Sequence, residues 1–176
     1  MTWTPEPETA VGGTVRPLRP IVLAVDPGPV SSAWLLYDPL SGGIRAFSLQ
    51  DNETVLAAFR AGLSAEIGTV VIEKVESFGM AVGAEVFETV YWSGRFAEAV
   101  APVPVERIGR RVVKLHLCGS SRATDSNIRQ ALIDRFSTSR QPAVGRKVNP
   151  GPLYGVSGDC WSALAVAVTW ADGGRS

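Results

Sequence analysis

Two short runs constrain the fold more than any other feature. PIVLAVD (20–26) and GTVVIEKV (68–75) are nearly unbroken apolar stretches, and each turns to an acid at its end, Asp26 and Glu73. Such runs read as strands buried inside a sheet. Pro27-Gly28 follows Asp26 at once and signals a tight turn.

The rest of the chain supplies partners for these strands. SSAWLLYD (31–38) predicts a second strand, the turn PLSGG follows, and IRAFSL (44–49) alternates as a third. The short turns between these three suggest an antiparallel meander. ETVLAAFRAGL (53–63) has helical spacing at Val55, Leu56, Phe59 and Leu63. Residues 81–100 predict a long helix with Val82, Val86, Val90, Gly94 and Ala97 on one stripe and Phe87, Tyr91 and Trp92 nearby. VPVERI (103–108) predicts a strand and RRVVKLHLC (110–118) a short helix. ATDSNIRQALIDRF (123–136) predicts another helix, with Thr124, Asp125 or Ser126 as its cap. Residues 137–155 read as a polar, basic loop with three prolines. In the last helix, SGDCWSALAVAVTW (157–170), ten of the twelve residues from Asp159 to Trp170 suit a core. This order predicts an α/β fold: a mixed five-stranded sheet, its three leading strands antiparallel, flanked by helices.

A chain of 176 residues, 45% apolar and 19% charged, suits one globular domain. The expected organisation is a flexible leader over 1–19, one domain over 20–172 and a tail over 173–176. No apolar run approaches the roughly 20 residues that span a membrane. The first residues lack the pattern of a secretory signal, so a cytoplasmic protein is expected. Two cysteines and one histidine make a structural zinc site a poor expectation. His116, Cys118, Cys160, Trp161 and Trp170 read as packing residues. Neither GxxxxGK nor GxGxxG occurs, so no nucleotide cofactor is expected.

Net charge is zero, but it is unevenly spread. The segment 106–147 holds ten Lys/Arg against three acids, a balance of +7 that leaves −7 elsewhere. That segment is either a solvated helical surface or a phosphate-binding region.

Asp26, Glu73 and Asp159 each stand at the end of an element. Singly, each has a plain reading: a turn residue, a frayed strand end and a helix-start acid near Ser157. If the first and fourth strands are neighbours, however, Asp26 and Glu73 lie side by side, and a returning helix can bring Asp159 to them. Clustered carboxylates repel one another unless cations intervene. Oxygen ligands suit Mg²⁺ or Mn²⁺, and two such ions can drive phosphodiester cleavage.

The four stretches AVDPGPVSSAW, VVIEKVESFGMAVG, VVKLHLCGSSRATDSNIRQALIDRF and GDCWSALAVAV, in this order, resemble the RuvC family of Holliday junction resolvases. The likeness is greatest to its divergent phage-type members and covers roughly 20–171. The resemblance implies an RNase H-like fold and a homodimer that makes paired nicks in four-way DNA with two divalent metals. It places metal ligands at Asp26, Glu73 and Asp159. The fourth position, Ser162, is Ser where the family has an acid, and Glu76 is a weak substitute. A basic residue of the family matches Lys114. A second Lys, at the next helix's cap, is matched by Asp125, a loss that Arg122 can cover. Arg110, Arg111, Arg146 and Lys147 complete the expected DNA-binding set. The dimer face falls on the helix 81–100. Phe78, with Met80 beside it, matches an aromatic that wedges into the junction.

Three other readings stay open. One is an RNase H-like nuclease acting on flaps, forks or hybrids. Another is an actin-like ATPase fragment, since DPGPVSSAW resembles a phosphate hairpin. The third, motivated by Ser162, is a junction-binding protein that does not cleave.

Overall fold

A computed structural model describes residues 21–77, 79, 81–137 and 140–173, with the side chain of Arg140 left out. The expected leader over 1–19, Phe78, Met80 and residues 174–176 lie outside the described residues.

The main sheet has five strands in the order β3-β2-β1-β4-β5. β1 (Ile21–Asp26), β2 (Ser31–Asp38) and β3 (Gly43–Asp51) form the antiparallel meander. β4 (Ile67–Lys74) runs parallel to β1, and β5 (Val105–Gly109) runs parallel to β4. α1 (Asn52–Arg60) joins β3 to β4, and α2 (Ala84–Ala99) joins β4 to β5. Then come α3 (Arg110–Cys118), α4 (Asp125–Phe136), α5 (Arg140–Val144), β6 (Gly145–Arg146), β7 (Asn149–Pro150) and α6 (Cys160–Ala171).

β1 is apolar at every position but its last because both faces of the sheet are covered. Val22 and Ala24 pack with Leu132, Leu164 and Val168, whereas Ile21, Leu23 and Val25 pack with Leu56, Phe59 and Phe96. α3 to α6 therefore cover one face, and α1 and α2 the other. The parity of β1 and β4 turns Asp26 and Glu73 toward the α6 face, along with Ala24 and Val71.

α6 is buried at Cys160, Trp161 and every position from Ala163 through Thr169, as an apolar element must be, with only Ser162 among these half-buried. Ala163, Ala165 and Ala167 let it lie close to the strands, and its contacts reach β1, β2, β3 and β4. Leu164 is fully buried, so cutting it to Ala would cost about 2–5 kcal/mol.

Several expectations need correcting. The segment 137–155 is not all loop: it forms α5 and the two-residue hairpin β6–β7. α2 starts at Ala84, and its buried residues are Ser93 and Phe96, outside the predicted stripe. Val82, Phe87, Val90 and Tyr91 are exposed. His116 is not simply packed, because its Nε2 lies 2.9 Å from Asp172 Oδ2. Trp161 is buried in the core, as expected of a packing residue, and also carries the Arg129 guanidinium over its ring at 4.8 Å.

Candidate active site

The register of the parallel strands builds the site. Val25 pairs with Ile72, so Asp26 and Glu73 are the next residues of adjacent strands, at their carboxyl ends. That edge is where ligands bind in parallel α/β sheets.

The turn after Asp26 is fixed from below. Asn52, buried at the start of α1, donates from Nδ2 to Gly28 O at 3.0 Å. Ser32 Oγ donates to Asn52 Oδ1 at 2.6 Å and accepts from Gly28 N at 3.1 Å. Gly28 is required because a Cβ there would collide with the Ser31 carbonyl. Asp26 thus leaves the sheet on a rigid support.

Two elements complete the edge. α6 brings Asp159 and Ser162 on its first turn. Asp159 occupies the cap position but makes no capping hydrogen bond with its side chain. The plain helix-cap reading therefore does not use its carboxylate. β5 brings the other group, because α3 begins directly after Gly109 and places Arg110 at the same edge. Glu73 pairs in register with Ile108, two residues before Arg110.

Arg110 is the hub of the site. Its Nη1 lies 3.3 and 3.4 Å from the Glu73 carboxylate oxygens and 3.1 Å from Ser162 Oγ, and Nη2 lies 2.5 Å from Asp125 Oδ1. The two positions where the chain departs from the resembled pattern, Ser162 and Asp125, are therefore both partners of one guanidinium. Sequence reasoning placed Arg110 only among DNA-binding residues. Pairs 37 and 52 residues apart leave no local signal.

Burial and neighbouring charge both act on the carboxyls here. Burial, then repulsion from Glu73 and Asp159, pushes Asp26 up to about 8, with Arg110 and the Ser162 hydroxyl pulling the other way. Burial also raises Glu73, opposed by the Arg110 charge. For both carboxyls burial is the larger cause, because it disfavours the charged form.

Two clefts meet at Arg110. One, about 210 Å³, is lined by Asp26, Glu73 and Glu76 among others. The other, about 370 Å³, is lined by Asp125, Asp159 and Ser162 among others. Arg110 lines both. Glu76 packs its carboxylate against Gly109, where any Cβ would displace it, and bonds Lys74 at 3.0 Å. Among the described residues, no three Asp, Glu, His or Cys side chains converge as a ready metal-ligand cluster. The donors are nonetheless all oxygens, and a Mg²⁺ or Mn²⁺ ion can be held by one or two carboxylates with water completing its shell. Asp26 and Glu73 meet that requirement.

The expected DNA-binding residues divide. Arg111 and Lys114 join Arg110 and Ser121 around a cleft of about 380 Å³. Arg122 lines a different cleft, with Asn127 and Asp134. Arg146 and Lys147 are exposed on the β6–β7 hairpin.

No family model and no curated protein matches the sequence. Solved structures do match. The Thermus thermophilus RuvC structure aligns over 85% of this chain and 92% of its own, at 18% identity and a TM-score of 0.52. T. thermophilus RuvC in complex with Holliday junction substrate aligns over 88% and 94%, also at 18% identity, with a TM-score of 0.57. The fold is that of RuvC. This RuvC-like sheet, with three antiparallel strands first and helices on both faces, is an RNase H-like architecture. At this identity the likeness to RuvC is one of fold, and the chemistry rests on the residues described above.

Proposed function

We propose that this protein is a divalent-metal-dependent endonuclease that nicks four-way and other branched DNA. The observation that carries this reading is the placement of Asp26 and Glu73 side by side at the carboxyl edge of a RuvC-like sheet. A RuvC of this fold has been solved with a Holliday junction substrate.

Asp26 and Glu73 would hold Mg²⁺ or Mn²⁺, and Asp159 approaches from the first turn of α6. An ion held there would supply an activated water and stabilise the leaving oxygen. The chain's own groups do the rest. The Ser32–Asn52 pair keeps Asp26 at the cleft, and Arg110 orients the Glu73 carboxylate. Arg111 and Lys114 offer cations to the phosphates of the strand entering beside them.

The exposed apolar side chains of α2 (Phe87 at 64%, Tyr91 at 57% and Val90 at 48%) support pairing of two copies through this helix. Such a dimer would present two sites for paired nicks.

The test is cleavage of a synthetic four-way junction, a fork, a linear duplex and an RNA–DNA hybrid, in Mg²⁺, in Mn²⁺ and in chelator. Metal-dependent nicking of the junction above the duplex and hybrid is expected. Preferred cleavage of the hybrid would move the assignment to another RNase H-like nuclease. A second reading draws on Ser162: tight junction binding without nicking in either metal would make the protein a junction binder.

A further inference from the structure

The oxygen-bearing side chains of the site line two adjoining clefts that share Arg110, and Asp26 interacts with both Asp159 and Ser162. Asp26 and Glu73 line one cleft and Asp159 and Ser162 the other, and Arg110 lines both. Its guanidinium touches oxygens of Glu73, Ser162 and Asp125, on three separate elements. Only 25% of its side chain is exposed, so it is a fixture of the site and not a mobile surface arm.

A guanidinium stays charged at any pH a protein tolerates, and its planar fork bridges several acceptors at once. Here the fork already faces both oxygens of Glu73, the Ser162 hydroxyl and Asp125. A divalent cation seeking the same oxygens would meet a fixed positive charge at contact distance. It would also find a hydroxyl at 162 in place of a carboxylate, a far poorer ligand for a hard cation.

We propose that Arg110 is a built-in cation standing where a second divalent ion would bind, so that the site takes one ion per chain, at Asp26 and Glu73. The proposal rests on the reading of this edge as a metal site. It makes Arg110 a positioning residue. The guanidinium faces both Glu73 oxygens, at 3.3 and 3.4 Å, and so offsets part of the charge that the single ion shares with Asp26. The departures at Ser162 and Asp125 then form one arrangement: the hydroxyl and the carboxylate receive the two ends of the guanidinium.

The experiment counts ions directly. The full chain is titrated with Mn²⁺ by calorimetry and by electron paramagnetic resonance, without DNA. The wild type is expected to bind one Mn²⁺ per chain with a mononuclear six-line spectrum. Arg110→Ala/Ser162→Asp, which removes the cation and adds a carboxylate, is expected to bind two with a spin-coupled spectrum. Ser162→Asp alone keeps Arg110, which pairs with the new carboxylate, so one ion is expected. Two ions in the wild type or in Ser162→Asp, or one in a folded double variant, would overturn the proposal. Two ions in the wild type leave the nuclease reading standing, whereas no binding at all removes the metal reading as well.

Discussion

Arg110 Nη1 lies 3.1 Å from Ser162 Oγ, which ties the first residue of α3 to the first turn of α6. The same nitrogen faces Glu73 at the end of β4. One side chain therefore sets the spacing of three elements at the edge where Asp26 stands.

Removing that side chain should loosen the metal-free protein. Arg110→Ala strips the partly buried Glu73 of its paired cation, at a cost of roughly 1–3 kcal/mol. In a chain of this size that lowers Tm by about 2–4 °C for each kcal/mol. Arg110→Lys keeps the charge but loses the fork, so it should recover only part. Calorimetric melts in chelator check this. An unchanged Tm for Arg110→Ala would contradict it.

The raised carboxyls fix a pH dependence. The folded state holds a proton on Asp26 up to about 8, whereas the unfolded chain releases it near 3.8. Metal-free stability should therefore fall as pH rises from about 4 to about 8. The upward shift of Glu73 has the same sign. Asp38, held down to about 2 mainly by Arg45, acts oppositely but below this window: its contribution is lost only as pH falls from 3.8 through 2. Urea melts from pH 5 to 8 test the slope, and saturating Mg²⁺ should flatten it. Site stability that climbs with pH in chelator would contradict the assignment.

The support beneath Asp26 is also open to test. Asn52→Ala leaves buried Ser32 and the Gly28 carbonyl without their partner. A stability loss of roughly 1–3 kcal/mol is expected. Junction nicking should fall with it even under conditions where the variant is fully folded, because Asp26 loses its anchor. Urea denaturation paired with a nicking assay separates the two effects.

The apolar face of α2 gives a third handle. Phe87→Glu places a charge amid Val90 and Tyr91 and should convert a dimer to a monomer in sedimentation velocity. A wild type that sediments as a monomer at every concentration would sink the pairing.

Much of this fold was legible because its strongest signals are local. β1 and β4 are apolar on both faces, so they announced themselves, and the predicted bounds 110–118 coincide with α3. The neighbouring of Asp26 and Glu73 followed once β1 and β4 were placed together. The hairpin β6–β7 escaped because two-residue strands carry no periodicity. The stripe on α2 misled because the N-terminal half of that helix presents its apolar residues to the outside, and only Ser93 and Phe96 are buried. The role of Arg110 was invisible for a different reason. A charge pair across 37 or 52 residues is set by where strands end, not by any spacing in the chain.

The most direct measurement is nicking of a synthetic four-way junction by Asp26→Asn beside the wild type, in Mg²⁺ and in Mn²⁺. Asparagine keeps the shape but removes the charge that would hold the metal. The wild type is expected to make paired nicks near the branch, and Asp26→Asn to lose them by at least about 10²-fold while still binding the junction. Nicking by Asp26→Asn at the wild-type rate would contradict the assignment of this carboxylate edge as the active site.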